Sequence, residues 1–282
     1  MKITNEIINE SFSYVYSQKA VSTRMSEQLD LDEILEFCLS IQEKTCYDEE
    51  LLYTEVEDGI FLYELLYGLK DGASRDGTVF LREMMNKKCK KKTEDAEHVI
   101  GCSCGTFPDA VSNLHEYAAK RQEFLRTVID PRKYGKFMRT CFPNSVFAEG
   151  CEKELEYVKD FSMYRNEITD CLSLLDEKAI SLYHEYQTNL AEAQRILQAM
   201  LQKTCAPDPE HKKFLRFEFT YEQEIDGEMQ PRKKVIECQP HFKLIRDDSD
   251  LRVYFWWQDD EVGDGKKVLI GRVGRHPWRK GH

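Results

Sequence analysis

The feature that most constrains this chain is a change of period near residue 207. From Cys151 to Ala206 there is neither glycine nor proline. Within that stretch Ile168, Leu172, Leu175, Ala179, Leu182, Tyr186, Ala193, Ile196 and Met200 alternate by threes and fours, with Asn189 as the one polar interruption. The spacing predicts a long helix over 151–206 carrying a heptad seam. Roughly 40 residues at ~1.5 Å rise give a rod on the order of 60 Å. So narrow a seam needs something to cover it. The cover is either another helix of the same chain, in a bundle, or a partner protein or second copy held through residues 168–200.

Pro207 and Pro209 then stop the helix, and the pattern drops to period two. Leu215, Phe217, Phe219 and Tyr221 alternate with Phe214, Arg216, Glu218 and Thr220, and Asp226-Gly227 supplies a turn. Further strands are expected from Val235 to Cys238, through Phe242 and Leu244, from Leu251 to Trp257 and from Lys267 to Val273. Residues 211–282 therefore read as a small antiparallel β-rich module.

Upstream, residues 1–150 read as a mainly helical domain. Leu31, Ile34, Leu35, Cys38 and Leu39 fall at helical spacing, with Asp30 or Asp32 placed to cap. A second helix is expected from Asp48 to about Leu69, a third through Phe80, Leu81 and Met84, and another from Asp109 through Phe124. The fold class is thus α+β: a helical body, a long heptad-patterned helix at 151–206, and a β-rich end.

Charge follows the same division. Residues 211–282 hold 15 Lys/Arg against 13 Asp/Glu, while the whole chain carries a formal charge of -11. A whole-protein electrostatic grip on nucleic acid is excluded. No acidic residue follows Asp264, whereas Lys266, Lys267, Arg272, Arg275, Arg279 and Lys280 do, a pattern that suits a local anionic partner. The run from Lys87 to Lys92 reads as a solvated helix end. No apolar run is long enough to span a membrane, and the first residues lack the apolar core of a signal peptide. Ten scattered cysteines without a framework-like rhythm read as reduced thiols, so the expected location is the cytoplasm.

All three tryptophans, Trp256, Trp257 and Trp278, lie near the C-terminal end, among strings rich in groups that can do chemistry. These are His241-Phe242-Lys243-Leu244, Arg252-Val253-Tyr254-Phe255 and Gly271-Arg272-Val273-Gly274-Arg275-His276-Pro277-Trp278. Alternate strand residues share a face, so His241 points with Lys243, and Arg252 with Tyr254. Neighbouring strands would gather both pairs beside Arg272, Arg275 and His276. Arginine and lysine bind phosphates and stabilise the extra charge of a phosphoryl-transfer transition state. Histidine and tyrosine move protons. Lys266, Lys267, Trp256 and Trp278 would add charge and stacking faces for unpaired bases. The plainer alternative makes the aromatics core and the arginines partners of acidic residues.

The segment from His241-Phe242-Lys243-Leu244 through a turn to Leu251-Arg252-Val253-Tyr254-Phe255, and on to a last strand with a basic end, resembles the closing strands of bacterial toxins of the RelE/ParE type. The resemblance is confined to the C-terminal module. It implies an RNA-directed effector, a toxin or phage-defence component, that cleaves ribosome-bound RNA without a metal. Some ParE-like members act on gyrase, so an interaction role lies within the same resemblance. The long stretch upstream of the module and the Gly-Arg-Val-Gly-Arg-His-Pro-Trp ending depart from that family. The alternative function is a non-catalytic assembly subunit that docks a partner or nucleic acid through the module.

Cys89, His98, Cys102 and Cys104 offer a further set, zinc-ligand types gathered in one short stretch of chain. Their spacing matches no standard finger, and buried free thiols are the plainer reading. Phosphate-loop, dinucleotide-binding and Gly-x-Ser-x-Gly motifs are all missing from the sequence.

Overall fold

The computed structural model describes residues 12–16, 25–47, 49–69, 75–91, 98–101, 111–225, 227–244 and 251–277. The fold is α+β, and the chain divides into two compact units, Met1–Arg121 and Gln122–His282.

The first unit is less helical than its sequence suggests. Strands β1 (Phe12–Tyr16), β2 (Lys44–Tyr47), β5 (Lys90–Lys91) and β6 (His98–Gly101) form a parallel sheet in the order β5-β2-β1-β6. Helices α1 (Met25–Ser40) and α3 (Arg75–Lys88) connect its strands. Thr45 and Cys46 are consecutive and both buried, so both faces of β2 are covered and no alternation marks it.

Leu31, Ile34, Leu35 and Cys38 are buried on α1 as expected, but Leu39 is exposed. The helix starts at Met25, so Asp30 and Asp32 lie inside it rather than at its cap; Asp32 instead pairs with Lys88. The helix expected over 48–69 breaks into a 3-10 turn (Glu49–Tyr53), a hairpin of β3 (Glu55–Glu57) and β4 (Ile60–Phe61), and the short helix α2 (Leu62–Leu66). The cause is Asp58-Gly59: Gly59 turns with φ +69° and donates its N–H to the Glu55 carboxylate at 2.6 Å. The lysine run ends α3 as expected at Lys87 and Lys88, with Lys87 exposed, but it does not stay wholly solvated. Lys88 is held by Asp32 and Glu36, and Lys90 and Lys91 form β5.

In the second unit, β7 (Ser145–Phe147), β8 (Cys205–Ala206), β11 (His241–Lys243), β12 (Leu251–Trp256) and β13 (Val268–Arg275) form a five-stranded sheet in the order β7-β13-β12-β11-β8. The β7–β13 pair is parallel and the others antiparallel. The sheet is therefore mixed, and two of its strands come from outside 211–282. The expected hairpin is present as β9 (Arg216–Ile225) and β10 (Glu228–Glu237).

The single rod over 151–206 is not what forms. Two 3-10 turns, Lys153–Tyr157 and Phe161–Met163, lead into α6 (Arg165–Glu185), and α7 (Leu190–Leu201) follows after a break; helices α4 (Leu114–Leu125) and α5 (Pro131–Met138) precede them. The break falls at Tyr186–Asn189, where Thr188 and Asn189 are weak helix formers and Asn189 takes the N-cap position of α7. At ~1.5 Å per residue α6 is about 31 Å long, half the expected rod. Its seam is already covered: Ile168, Leu172, Leu175 and Ala179 are 0 % exposed and Leu182 8 %, with α6 lying against β12 and β13 of its own unit. That stripe is closed to a second copy. Among the described residues no helix is long and apolar enough to cross a membrane.

Candidate functional site

The register of the mixed sheet assembles the site. His241 pairs with Tyr254, and Tyr254 with Arg272; one step along, Lys243 pairs with Arg252, and Arg252 with Gly274. Since residues directly opposite share a face, His241, Tyr254 and Arg272 form one row and Lys243 and Arg252 begin the next. The other face carries Phe242, Val253 and Val273, which are paired in the same way and fully buried.

Rings tie the first row together. His241 and Tyr254 centroids lie 4.8 Å apart, and His276, just past β13, stands edge-on to Tyr254 at 5.7 Å. His241 Nδ1 donates to the Gln239 carbonyl at 3.3 Å, which leaves Nε2 as the basic nitrogen. Burial, reinforced by Arg252 and Lys243, pulls the His241 imidazole down to about 4, so the ring is neutral at physiological pH. Burial also pushes the Tyr254 hydroxyl well above its ordinary value. Among the described residues that hydroxyl is buried without a hydrogen-bond partner.

A carboxylate that sequence reasoning missed completes the cluster. Asp208 accepts from His211 Nδ1 at 2.8 Å through one oxygen and from His276 Nε2 at 2.8 Å through the other. Burial works to raise the Asp208 carboxyl, and the two imidazoles outweigh it and hold it below the usual range. Burial lowers His276, opposed in part by Asp208. The Asp208 charge also reaches Tyr254 and His241. The available signal was Asp208-x-x-His211 directly after the helix-stopping Pro207; the i,i+3 spacing sets both side chains on one side of the 3-10 turn Pro209–Phe214. Asp208, His211 and His276 offer ligand atoms within 4.8 Å of one another, and they are the one such metal-competent group among the described residues.

The expected residues fare unequally. His241, Arg252, Tyr254, Arg272 and His276 come together; Lys243 stands beside Arg252, half-buried. Arg275 turns away: its guanidinium meets Glu154 at 3.0 Å and lies over the Tyr157 ring at 5.3 Å. Glu154 also faces Arg272 at 3.5 Å, and Arg272 Nε donates to the Arg275 carbonyl at 2.8 Å. Gly274 makes this approach feasible, because a Cβ there would lie 2.5 Å from Glu154 Cβ.

Lys266 and Lys267 precede β13 and lie at its far end, about 17 Å from Arg272 along the strand. Trp256 pairs with Leu269 near that same end, so these three residues do not join the cluster. Trp278 lies outside the described residues. So do Cys102 and Cys104, and with them the set proposed for zinc; Cys89 is buried. No protein-family model, curated protein or solved structure matches this chain.

Proposed function

We propose that the second unit is an RNA-directed effector module, of the toxin or phage-defence kind, whose sheet face cleaves a phosphodiester without a metal in the transfer step. The observation that carries this reading is the row His241–Tyr254–Arg272 with Arg252 and Lys243 beside it. It combines a neutral imidazole, a protonated phenol and fixed cations on one face.

In the reading, Arg252 and Arg272 hold the phosphate and stabilise the charge that grows on its oxygens. The ribose 2′-hydroxyl attacks phosphorus as His241 Nε2 takes its proton. The P–O bond to the next nucleotide breaks as the Tyr254 hydroxyl protonates the leaving 5′-oxygen. The products are a 2′,3′-cyclic phosphate and a free 5′-hydroxyl, and the proton on His241 returns to the Tyr254 phenolate. The resemblance to RelE/ParE-type toxins supports the same assignment.

The test is cleavage of single-stranded and ribosome-bound RNA, together with toxicity on expression. His241→Ala is expected to cost about 10²–10⁴-fold, and Arg272→Ala or Arg252→Ala about 10²–10³-fold. Lys266→Ala/Lys267→Ala, at the far end of the strand, serves as the unaffected control. Wild-type protein without cleavage or toxicity, or unchanged rates in all three site variants, sinks the proposal.

The near-complete burial of His241 and Tyr254 favours a second reading, a non-catalytic assembly subunit that docks a partner or nucleic acid at this end. Binding of RNA or a partner protein with no cleavage would select it.

A further inference from the structure

We infer that Asp208, His211 and His276 bind a divalent first-row transition ion of the zinc class. The ion would clamp the 3-10 turn after Pro209 onto the end of β13. This goes beyond the reading of the sheet face and does not rest on it, since neither Asp208 nor His211 takes part in the transfer step.

Three observations carry it. The first is the donor set. Two imidazoles and a carboxylate are the nitrogen and oxygen ligands that suit zinc and its neighbours and do not suit calcium or magnesium. The second is convergence. The two imidazole nitrogens each lie 2.8 Å from a separate Asp208 oxygen, the three ligand atoms fall within 4.8 Å, and the two rings stand edge to face at 5.3 Å. Ligand atoms on a tetrahedral ion with ~2.0–2.1 Å bonds sit roughly 3.3 Å apart, so binding would draw the widest pair of this set together by up to about 1.5 Å.

The third is an unanswered polar group beside the set. The Tyr254 hydroxyl is buried without a partner among the described residues, its ring is 5.7 Å from the His276 ring, and the Asp208 charge reaches it. Three protein ligands leave an ion's fourth position open. A water or anionic oxygen there would give that hydroxyl its missing partner. An anionic fourth ligand would also lie in the field of Arg252, whose charge reaches His276.

The arrangement joins two distant parts of the sequence. Asp208 and His211 sit on successive levels of one turn, and His276 arrives from the end of β13. A clamp of that kind removes freedom from a turn too short to hold itself firmly.

The experiment uses the full chain, purified through a cleavable tag without histidine. Metal content is measured by mass spectrometry, zinc affinity by competition with a chromophoric chelator, and ligand type by the spectrum of the cobalt-substituted protein. The expected result is one equivalent of a first-row ion, with a cobalt spectrum lacking thiolate charge-transfer bands. His211→Ala and Asp208→Asn are expected to weaken zinc by more than the ~100-fold that loss of a mere outer-shell partner costs. Cys89→Ser/Cys102→Ser is expected to leave affinity unchanged.

His211 is only half-buried, so its variant is the one expected to keep the fold, which circular dichroism checks. A wild-type chain that takes up no zinc overturns the inference. So does affinity that survives His211→Ala in a folded protein, or that depends on the cysteines. RNA cleavage that persists in chelator alongside loss of bound metal separates this result from the fate of the sheet-face reading.

Discussion

Tyr254→Phe deletes one oxygen and little else, which makes it the sharpest perturbation of the site. Tyr254 is 0 % exposed, and its hydroxyl meets no hydrogen-bond partner among the described residues. The ring contacts to His241, His276 and Phe217, at 4.8, 5.7 and 6.3 Å, all survive in phenylalanine. Burying a hydroxyl without a compensating bond costs about 1–3 kcal/mol. Its removal should therefore stabilise the metal-free protein by about that amount. For a unit of this size that means a rise of roughly 2–4 °C in melting temperature per kcal/mol. Tyr134→Phe is the matched control. Tyr134 is equally buried, but its hydroxyl shares a 2.9 Å bond with Thr169 Oγ1. Its loss should cost about 1 kcal/mol. Melts of both variants in chelator, followed by tryptophan fluorescence, give the comparison. If Tyr254→Phe lowers the melting temperature as Tyr134→Phe does, the hydroxyl is satisfied in the folded protein and the argument from it fails. The sheet-face reading adds a second measurement on the same variant, because a more stable protein should cleave RNA about 10²-fold more slowly.

Asp176 tests pH dependence. It accepts from the Asn144 N–H and the Ser145 hydroxyl, yet burial raises it to about 7. The folded state holds this proton between the ordinary carboxyl pKa and about 7 while the unfolded state has lost it. Stability present at acidic pH is therefore lost as pH rises through that window, by up to about 4 kcal/mol. Asp176→Asn keeps an acceptor for both donors and should flatten the profile, matching wild type in urea near the acidic end of the window and exceeding it above the window. In the first unit, Arg121 and Glu43 form a fully buried pair at 2.6 Å. Arg121→Met should cost about 3–5 kcal/mol in urea melts, and adding Glu43→Leu should recover most of it, because the loss lies in stranding a buried charge. Gly274→Ala should cost about 1–3 kcal/mol by overpacking against Glu154; an unchanged urea midpoint would mean that the Glu154 backbone gives way freely.

What the sequence made legible follows from how local each signal is. The hairpin of β9 and β10 was readable because alternation and Asp226-Gly227 agree along one continuous stretch. The pairing of His241 with Lys243 and of Arg252 with Tyr254 was readable because strand parity holds strictly over so short a run; the register between strands then placed Tyr254 opposite both His241 and Arg272. The rod failed for a physical reason. A stripe at Ile168, Leu172, Leu175 and Ala179 records that something covers it, and a sheet covers it as well as a helix does. The parallel sheet of the first unit was missed because its strands are short and β2 is covered on both faces, which removes the period-two signal. Glu154 left no trace in the sequence at all, since its partners Arg272 and Arg275 lie on the last strand, far along the chain.

The accessibility of the site narrows what it can act on. His241 and Tyr254 are almost fully buried, while Lys243, Arg252 and Arg272 are half-buried on the same face. On the sheet-face reading, the cations proposed to hold the phosphate are the more exposed groups, and the proposed base and acid lie deeper. A duplex presents its phosphates on a stiff cylinder and cannot bring one of them down between side chains to a recessed pair. A single strand can, because an unstacked nucleotide can be pushed out of line at a cost of a few kcal/mol. The recess also keeps bulk water from His241 and Tyr254, and burial is what holds the imidazole neutral and the phenol protonated. On that reading, the depth that makes the site hard to reach is the same property that would give the two rings opposite proton duties.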